Sequence, residues 1–128
     1  MGQERRRHPR RRVSLPVEVR FLAEEETFSP FQFNACVADM SVAGAMITIG
    51  DVAVEQYDVL FRRPRFLRLS CRMPPNDRSL VLFGRVVWHE YCADANPAFC
   101  RTAVAFEPLD ADDLRRLAAF LDEQAEST

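Results

Sequence analysis

Apolar and polar residues alternate along most of the chain, which is the pattern of β-strands with one buried face. The clearest run extends from Val13 to Leu22, where apolar residues occupy every second position up to Phe21. Turn-forming residues separate the runs, most clearly between Pro74 and Asp77. We predict six strands, at Val13–Leu22, Phe31–Met40, Ala45–Ile49, Arg65–Met73, Ser79–Glu90 and Arg101–Phe106.

A helix is expected after the last predicted strand. Asp110 stands where an N-cap residue is needed, and Asp112 and Asp113 add negative charge to the first turn, where the helix dipole favours it. Apolar residues then recur with helical spacing, which predicts a helix over 111–124 that packs on the sheet. The residues on this face are Leu114, Leu117, Ala118 and Leu121.

Six short strands and one terminal helix predict an all-β fold, a six-stranded antiparallel β-barrel with the helix packed on it. With 128 residues, 48% of them hydrophobic, the chain should form a single domain with a substantial core. We divide it into a basic N-terminal arm, residues 1–12, and the barrel with its helix, residues 13–125. Residues 51–64 allow either a short helix or an irregular crossing, and both remain open.

Charge is distributed unevenly along the chain. Residues 1–12 have a net charge of +5, whereas the remainder has a net charge of −7. A basic arm on an acidic body argues against uniform coating of nucleic acid and favours one focused anion site. All 17 basic residues are arginine, a bias that a GC-rich genome explains, although arginine is also the better residue for forked contacts to phosphate.

The arm is too highly charged to pack, so we expect it to be flexible. Arg6 and Arg10 have an Arg-x-x-x-Arg spacing, and two guanidinium groups from one short loop can bind a phosphate or the O6/N7 edge of guanine. The alternative is a solvated tail with no specific ligand. The same spacing recurs at Arg7 and Arg11, and at Arg68 and Arg72.

A second polar constellation follows the second predicted strand, in the pattern Asp-x-Ser-x-x-Gly. Asp39 can accept N–H donors from a guanine edge or orient an arginine, and Ser41 can bond a phosphate or a base. Gly44 allows the backbone to lie close to a ligand or to take a positive φ. The alternative is an ordinary turn between two strands, in which the glycine supplies the bend.

Several functional classes are excluded by what the chain does not contain. The four cysteines form no Cys-x-x-Cys pair and His8 and His89 are the only histidines, so we expect neither a zinc site nor another cofactor. Neither His8 nor His89 lies in a sequence pattern that would make it a catalytic base for Ser41, so we do not expect an enzyme. No apolar run is long enough to cross a membrane, and we expect a cytoplasmic protein. Cys36 and Cys71 fall in apolar runs and should be buried.

The order of these features resembles the PilZ domain over about residues 4–123. The resemblance rests on both binding motifs of the family and on three further segments that fall in the family's order. This resemblance implies a six-stranded split barrel that binds the bacterial second messenger cyclic di-GMP. The matching segments are Arg6-x-x-x-Arg10, Leu15-Pro16-Val17, Asp39-x-Ser41-x-x-Gly44, Gly84–Trp88 and Val104–Leu109.

The resemblance also implies roles for individual residues. It implies that Arg5, directly before the first motif, favours two mutually intercalated ligand molecules over one. Trp88 falls on a strand that borders the ligand in several members, although an aromatic in the interior or at the rim of the barrel is the alternative. Arg7 and His8 are expected beside the ligand. The ligand-binding residues carried over from the family are Arg6, Arg10, Asp39, Ser41 and Gly44.

We therefore expect a non-enzymatic second-messenger receptor in bacterial signal transduction. Ligand would order the arm against the barrel, and an effector protein would read the change in trans, with the receptor a monomer or a ligand-dependent dimer. The alternative is a nucleic-acid- or anion-binding module that uses the arm as a phosphate clamp. The segment 51–64 is longer and more apolar than the corresponding segment of the family. It is either a partner-binding surface or an ordinary edge insertion.

Overall fold

Strands dominate the part of the chain that the structure, a computed structural model, describes: residues 10–22, 28–62, 66–73 and 78–126. Two helices accompany them, one inserted after the third strand and one at the end. The elements are β1 (Arg11–Leu22), β2 (Phe28–Met40), β3 (Gly44–Gly50), α1 (Val54–Phe61), β4 (Phe66–Met73), β5 (Arg78–Cys92), β6 (Phe99–Phe106) and α2 (Ala111–Glu126).

The strands close into an antiparallel barrel in the order β1-β2-β3-β6-β5-β4. This confirms the predicted six-stranded antiparallel barrel with a C-terminal helix. β1 closes it, because it pairs with β2 along most of its length and with β4 on its other edge. The ladder with β4 is short and extends only from Glu18, opposite Ser70, to Phe21, opposite Leu67.

All strand boundaries lie within three residues of those predicted, and the start of β1 is the one that changes the predicted arm. β1 begins at Arg11, so Arg11 and Arg12 belong to the strand and not to the arm. They pair with Met40 and Asp39 at the end of β2. Arg12 is exposed on the solvated outer face of the barrel. Arg11 is opposite the buried Met40 and is itself partly buried.

The core fills the inside of the barrel, where alternate residues of every strand point. Val19, Val37, Ile47 and Leu69 are completely buried, as their period-two spacing predicts. Removing this apolar surface from water drives the closure. Many outward-facing residues of the strands are polar or charged, among them Glu18, Arg20 and Arg72, so the alternation separates the core from the solvent-facing surface.

The segment whose structure the sequence left open contains helix α1, which closes one end of the barrel. Tyr57 and Phe61 point inward from this helix, and Phe61 packs edge-on against Phe21 at 5.4 Å between centroids. Tyr57 stacks on Tyr91 at 4.9 Å, and its hydroxyl group hydrogen-bonds His89 Nδ1. This aromatic cluster gives the insertion a packing role at the barrel end.

The four cysteines are all free thiols. Cys71 and Cys100 are buried, and burial raises the pKa of each thiol to about 11, so both are protonated at neutral pH. The expectation that Cys36 is buried is wrong, because the alternation of β2 places it on the outer face, opposite Pro16 and Thr48. An apolar run identifies a strand, but the register decides which of its residues face inward.

Helix α2 caps and packs largely as the sequence predicts. The Asp113 N–H donates a hydrogen bond of 2.8 Å to Asp110 Oδ1, which confirms the N-cap. Leu117 and Leu121 are buried as expected, but Leu114 is 41% exposed and Phe120 is buried in its stead. The buried face of the helix is therefore formed by Leu117, Phe120 and Leu121, in its C-terminal half.

The N-cap supplies a stability prediction. Asp110→Ala should lower the free energy of unfolding by about 1 kcal/mol, because it leaves an N–H of the first turn without its acceptor. Asp110→Asn retains a cap and should be close to wild type. Urea unfolding followed by circular dichroism measures both, and equal midpoints for the two variants would contradict this role.

Candidate functional site

The site begins where the arm meets the barrel. Arg10 is the last residue before β1, and its Nε lies 3.2 Å from Asp39 Oδ1. The arginine side chain is 23% exposed and the carboxylate 36%, so the ion pair lies at the surface, where its contribution to stability is small. The contact therefore positions the end of the arm motif against the first residue of the Asp-x-Ser-x-x-Gly motif.

Asp39 is held at an irregular point of the sheet. The register between β2 and β3 shifts between Val37 and Asp39, and the register between β1 and β2 shifts between Arg12 and Leu15. Irregularities of this kind re-aim side chains and occur beside functional sites. Asp39 Oδ1 is buried and has no hydrogen bond of good geometry in the described chain, although it is within ion-pair distance of Arg10.

Ser41 forms the turn between β2 and β3. Its N–H donates to the Gly44 carbonyl oxygen at 2.9 Å, and its Oγ accepts a hydrogen bond from the Ala43 N–H at 3.0 Å. The residue is only 4% exposed. Ser41 therefore has a structural role in the turn, and its hydroxyl group still has its own proton to donate, because it acts as an acceptor there.

Gly44 is required by a close approach between strands. A Cβ at this position would overlap the Val104 carbonyl oxygen of β6, the strand that pairs with β3. Its φ is not positive, so the backbone conformation would accept other residues and only the space forbids them. Gly84 of β5 is similar, since a Cβ there would lie 2.7 Å from the Ala105 carbonyl oxygen.

Trp88 lies in the same transverse row as Asp39 on the outer face of the barrel. The register pairs Asp39 with Met46, Met46 with Ala103, and Ala103 with Trp88. Three strand spacings separate the carboxylate strand from the tryptophan strand, roughly 14 Å. Trp88 is 42% exposed, which rules out the interior alternative, and the Arg101 guanidinium lies 5.9 Å from its ring centroid.

Small residues form the floor between these two ends. Ala103 and Ala105 point outward from β6, and Ala105 is opposite Gly44 on one side and Arg85 on the other. With Met46 they leave a shallow surface on which a flat group can approach the backbone. We did not identify these residues from the sequence; the signal was the alternation of Arg101, Ala103 and Ala105 in β6.

The remaining arginines and the histidine considered in the sequence analysis lie elsewhere in the chain. Arg5, Arg6, Arg7 and His8 lie outside the described residues. The competing arginine spacing at Arg68 and Arg72 is in β4, which borders β1 on the edge opposite β2 and is therefore separated from Asp39 by a whole strand.

Among the described residues, no group of three histidine, cysteine or acidic side chains is arranged to hold a metal ion. No described helix is both long and apolar enough to cross a membrane. His89 is committed to the aromatic cluster beneath α1 and hydrogen-bonds Tyr57, so it is not beside Ser41 as a catalytic base would be.

The sequence matches the PilZ domain family over residues 4–123, and the chain belongs to that family. Two motifs on which the resemblance rested, Arg-x-x-x-Arg and Asp-x-Ser-x-x-Gly, lie within the matched range. No curated protein matches the chain.

Solved structures with the same fold include the PilZ domain of YcgR from Escherichia coli with c-di-GMP. Its TM-score is 0.67 at 11% identity, with 97% of this chain and 94% of that chain covered. The inhibitor of motility MotI/DgrA from Bacillus subtilis has a TM-score of 0.64 at 17% identity, with 98% of this chain and 53% of that chain covered. The MrkH–c-di-GMP complex of K. pneumonia has a TM-score of 0.61 at 15% identity, with 98% of this chain and 54% of that chain covered.

These similarities at low identity show the fold. This chain spans about half the length of the MotI and MrkH chains. The PilZ assignment is thus supported twice, by the family match in sequence and by the barrel in structure.

The two glycines of β3 give a matched test of the site's framework. Gly44→Ala should cost about 2 kcal/mol or more of unfolding free energy, because the new methyl group must displace the backbone of β6. Gly50→Ala should cost much less, since nothing lies within 4 Å of a Cβ there. Chemical denaturation compares them, and an equal loss in both variants would refute the close-approach argument.

Proposed function

We propose that this PilZ domain is a non-enzymatic receptor that binds cyclic di-GMP between its arginine arm and the face formed by Asp39, Ser41 and Gly44. The observation that carries the proposal is the Arg10–Asp39 contact at 3.2 Å, which brings the second arginine of one motif to the first residue of the other. Two structures of the same fold, those of YcgR and MrkH, contain c-di-GMP.

The chemistry of the two motifs suits the two parts of this ligand. Arg6 and Arg10 supply forked donors for phosphates and for the O6/N7 edge of guanine. Asp39 supplies a carboxylate acceptor for the N1–H and N2–H donors of the opposite guanine edge. The shallow floor beside Trp88 offers a flat surface for a base, with Arg7 and His8 near the phosphates.

Ligand binding requires an exchange of partners at the end of the arm. Arg10 covers Asp39 Oδ1, so the guanidinium group must move before a guanine edge can reach that oxygen. A surface ion pair is weak enough to be exchanged at little cost. The arginine that leaves the carboxylate then becomes available to the ligand, so arm and barrel are joined through the bound molecule.

The bound state would present a new surface to an effector protein in trans, in the cytoplasm, with the receptor a monomer or a ligand-dependent dimer. The arm carries six of the 17 arginines and has a net charge of +5, and a ligand with two phosphates neutralises part of this charge. Ordering a charged segment against a rigid barrel is a known way to turn ligand binding into a change of surface.

Titration calorimetry with cyclic di-GMP tests the receptor function. Arg6→Ala, Arg10→Ala and Asp39→Ala should each weaken binding by about tenfold or more, as expected for loss of a charge-assisted hydrogen bond. Arg20→Ala is the control, because Arg20 is an arginine of β1 that hydrogen-bonds Gln32 away from the site. All four variants should keep the thermal unfolding transition of the barrel.

The same titrations with GTP and a short DNA duplex, each at two salt concentrations, separate specific from general anion binding. Cyclic di-GMP should bind far more tightly than either and should lose little affinity with salt. Duplex binding as tight as cyclic di-GMP binding, with a steep loss at high salt, would replace the receptor by the phosphate-clamp function.

The number of ligands depends on Arg5 in this proposal. A third guanidinium group beside Arg6 can bind or stack on a second, intercalated molecule, so the stoichiometry should be two per chain. Arg5→Ala should reduce it to one while leaving most of the affinity for the first molecule. A stoichiometry of one in the unmodified chain would contradict the two-ligand mode without affecting the receptor function.

A further inference from the structure

An irregularity in β5 brings an arginine to the same face as the tryptophan of the site. The register between β5 and β6 shifts between Val86 and Trp88, where β5 has one residue more than its partner strand. Arg85 and Trp88 are three positions apart, and in a regular strand they would face opposite sides of the sheet. The extra residue restores the alternation, and both side chains are exposed on the outer face of the barrel.

Arg85 borders the same floor of small residues as Trp88. Arg85 is opposite Ala105 and Trp88 is opposite Ala103, so the two side chains begin about 7 Å apart along the edge of β5. On the other side of Ala105 is Gly44 of β3, two strand spacings or about 10 Å from Arg85. The outer edge of β5 therefore forms a wall of the floor opposite the Asp-x-Ser-x-x-Gly motif, and this wall contains one aromatic ring and one cation.

The guanidinium group of Arg85 has no role in holding the described barrel together. No hydrogen bond or ion pair joins Arg85 to a described residue, and its cross-strand neighbours, Phe66 and Ala105, are uncharged. Arg101 of β6, in contrast, donates two hydrogen bonds to Glu90 Oε1, at 3.2 and 2.8 Å. Of these two exposed arginines, Arg85 is the one whose donors are available to an anion.

We propose that Arg85 is a further ligand-binding residue, which binds a phosphodiester group of cyclic di-GMP from the β5 side of the floor. This inference rests on the receptor function proposed above. Arg10 reaches the site from the other side, beside Asp39. The two phosphodiester groups lie on opposite sides of the ligand's ring, so one arginine on each side of the floor neutralises both.

The residues around the floor leave this task to Arg85. Asp39 is the proposed partner of one guanine edge, and the ring of Trp88 offers a flat surface for the other base. The phosphodiester group between the bases on the β5 side then needs a cation, and a guanidinium group can form two parallel hydrogen bonds to its oxygens. Because Arg85 follows the last residues of the two motifs by some forty positions, only the barrel brings it to the site.

Titration of the full chain with cyclic di-GMP tests the contact. Arg85→Gln keeps a polar side chain but removes the charge, and it should raise the Kd at least about tenfold. Arg85→Lys keeps the charge without the fork, so its Kd should fall between those of Arg85→Gln and the wild type. The matched control is Arg72→Gln, which removes an exposed arginine of β4 outside the floor and should leave the Kd within about twofold.

Trp88 supplies a second readout, because it is the only tryptophan in the chain. Cyclic di-GMP bound on the floor should change its fluorescence. Arg85→Gln should reach the same emission spectrum at saturation, only at higher ligand concentration, since the base still lies beside the ring. A different spectrum at saturation would show that Arg85 acts by orienting the indole ring, and would overturn the direct phosphate contact.

The outcomes separate this inference from the receptor function. If the wild type binds cyclic di-GMP and Arg85→Gln binds it as tightly as Arg72→Gln does, the role of Arg85 is wrong and the receptor function stands. If the wild type does not bind, both are wrong. All three variants should keep the thermal unfolding transition of the wild type, and an earlier transition in Arg85→Gln alone would assign Arg85 to the framework instead.

Discussion

The double pairing of β1 is the constraint on which the rest of the structure depends. β1 bonds to β2 along most of its length, but to β4 only from Glu18 to Phe21. That short ladder closes the barrel and thereby aligns its inward faces into one core. The beginning of β1 pairs with the end of β2, where Arg12 is opposite Asp39, and this pairing brings the end of the arm to Asp39.

The residues of the two motifs divide between those that hold the framework and those that we propose for ligand recognition. Gly44 sits where β3 and β6 approach too closely for any Cβ, and Ser41 closes the turn with two backbone contacts. Arg10 and Asp39, in contrast, meet in a surface ion pair that contributes little to stability. A substitution of the glycine should therefore affect folding, and a substitution of the arginine or the aspartate should affect binding. Loss of binding would therefore indicate a folding defect at Gly44 but a lost ligand contact at Arg10 or Asp39.

The sequence predicted the strands, the antiparallel barrel and the capped helix well, since each depends on local periodicity or on a capping residue. The Asp110 cap and the inward residues of β1 lie where the pattern indicated. The prediction failed for Cys36, in an apolar run of β2, and for Leu114, on the expected apolar face of α2, since both are exposed. Exposure there depends on strand register and helix rotation, which neighbouring elements determine. The sequence did not decide between a helix and an irregular crossing at residues 51–64 for the same reason, because Tyr57 and Phe61 of α1 pack against residues of distant strands.

Local chemistry by itself determined which residues this protein has available for an anionic, base-containing ligand: the arginine arm and the Asp-x-Ser-x-x-Gly turn. Spacing along the chain is enough for that, because each motif lies within a few consecutive residues. Only the tertiary structure decided that Arg10 reaches Asp39, that Trp88 shares a row with the carboxylate, and that Gly44 is needed by β6. These relations join residues far apart in the chain. They arise from barrel closure and register, which the core as a whole imposes and no single segment contains.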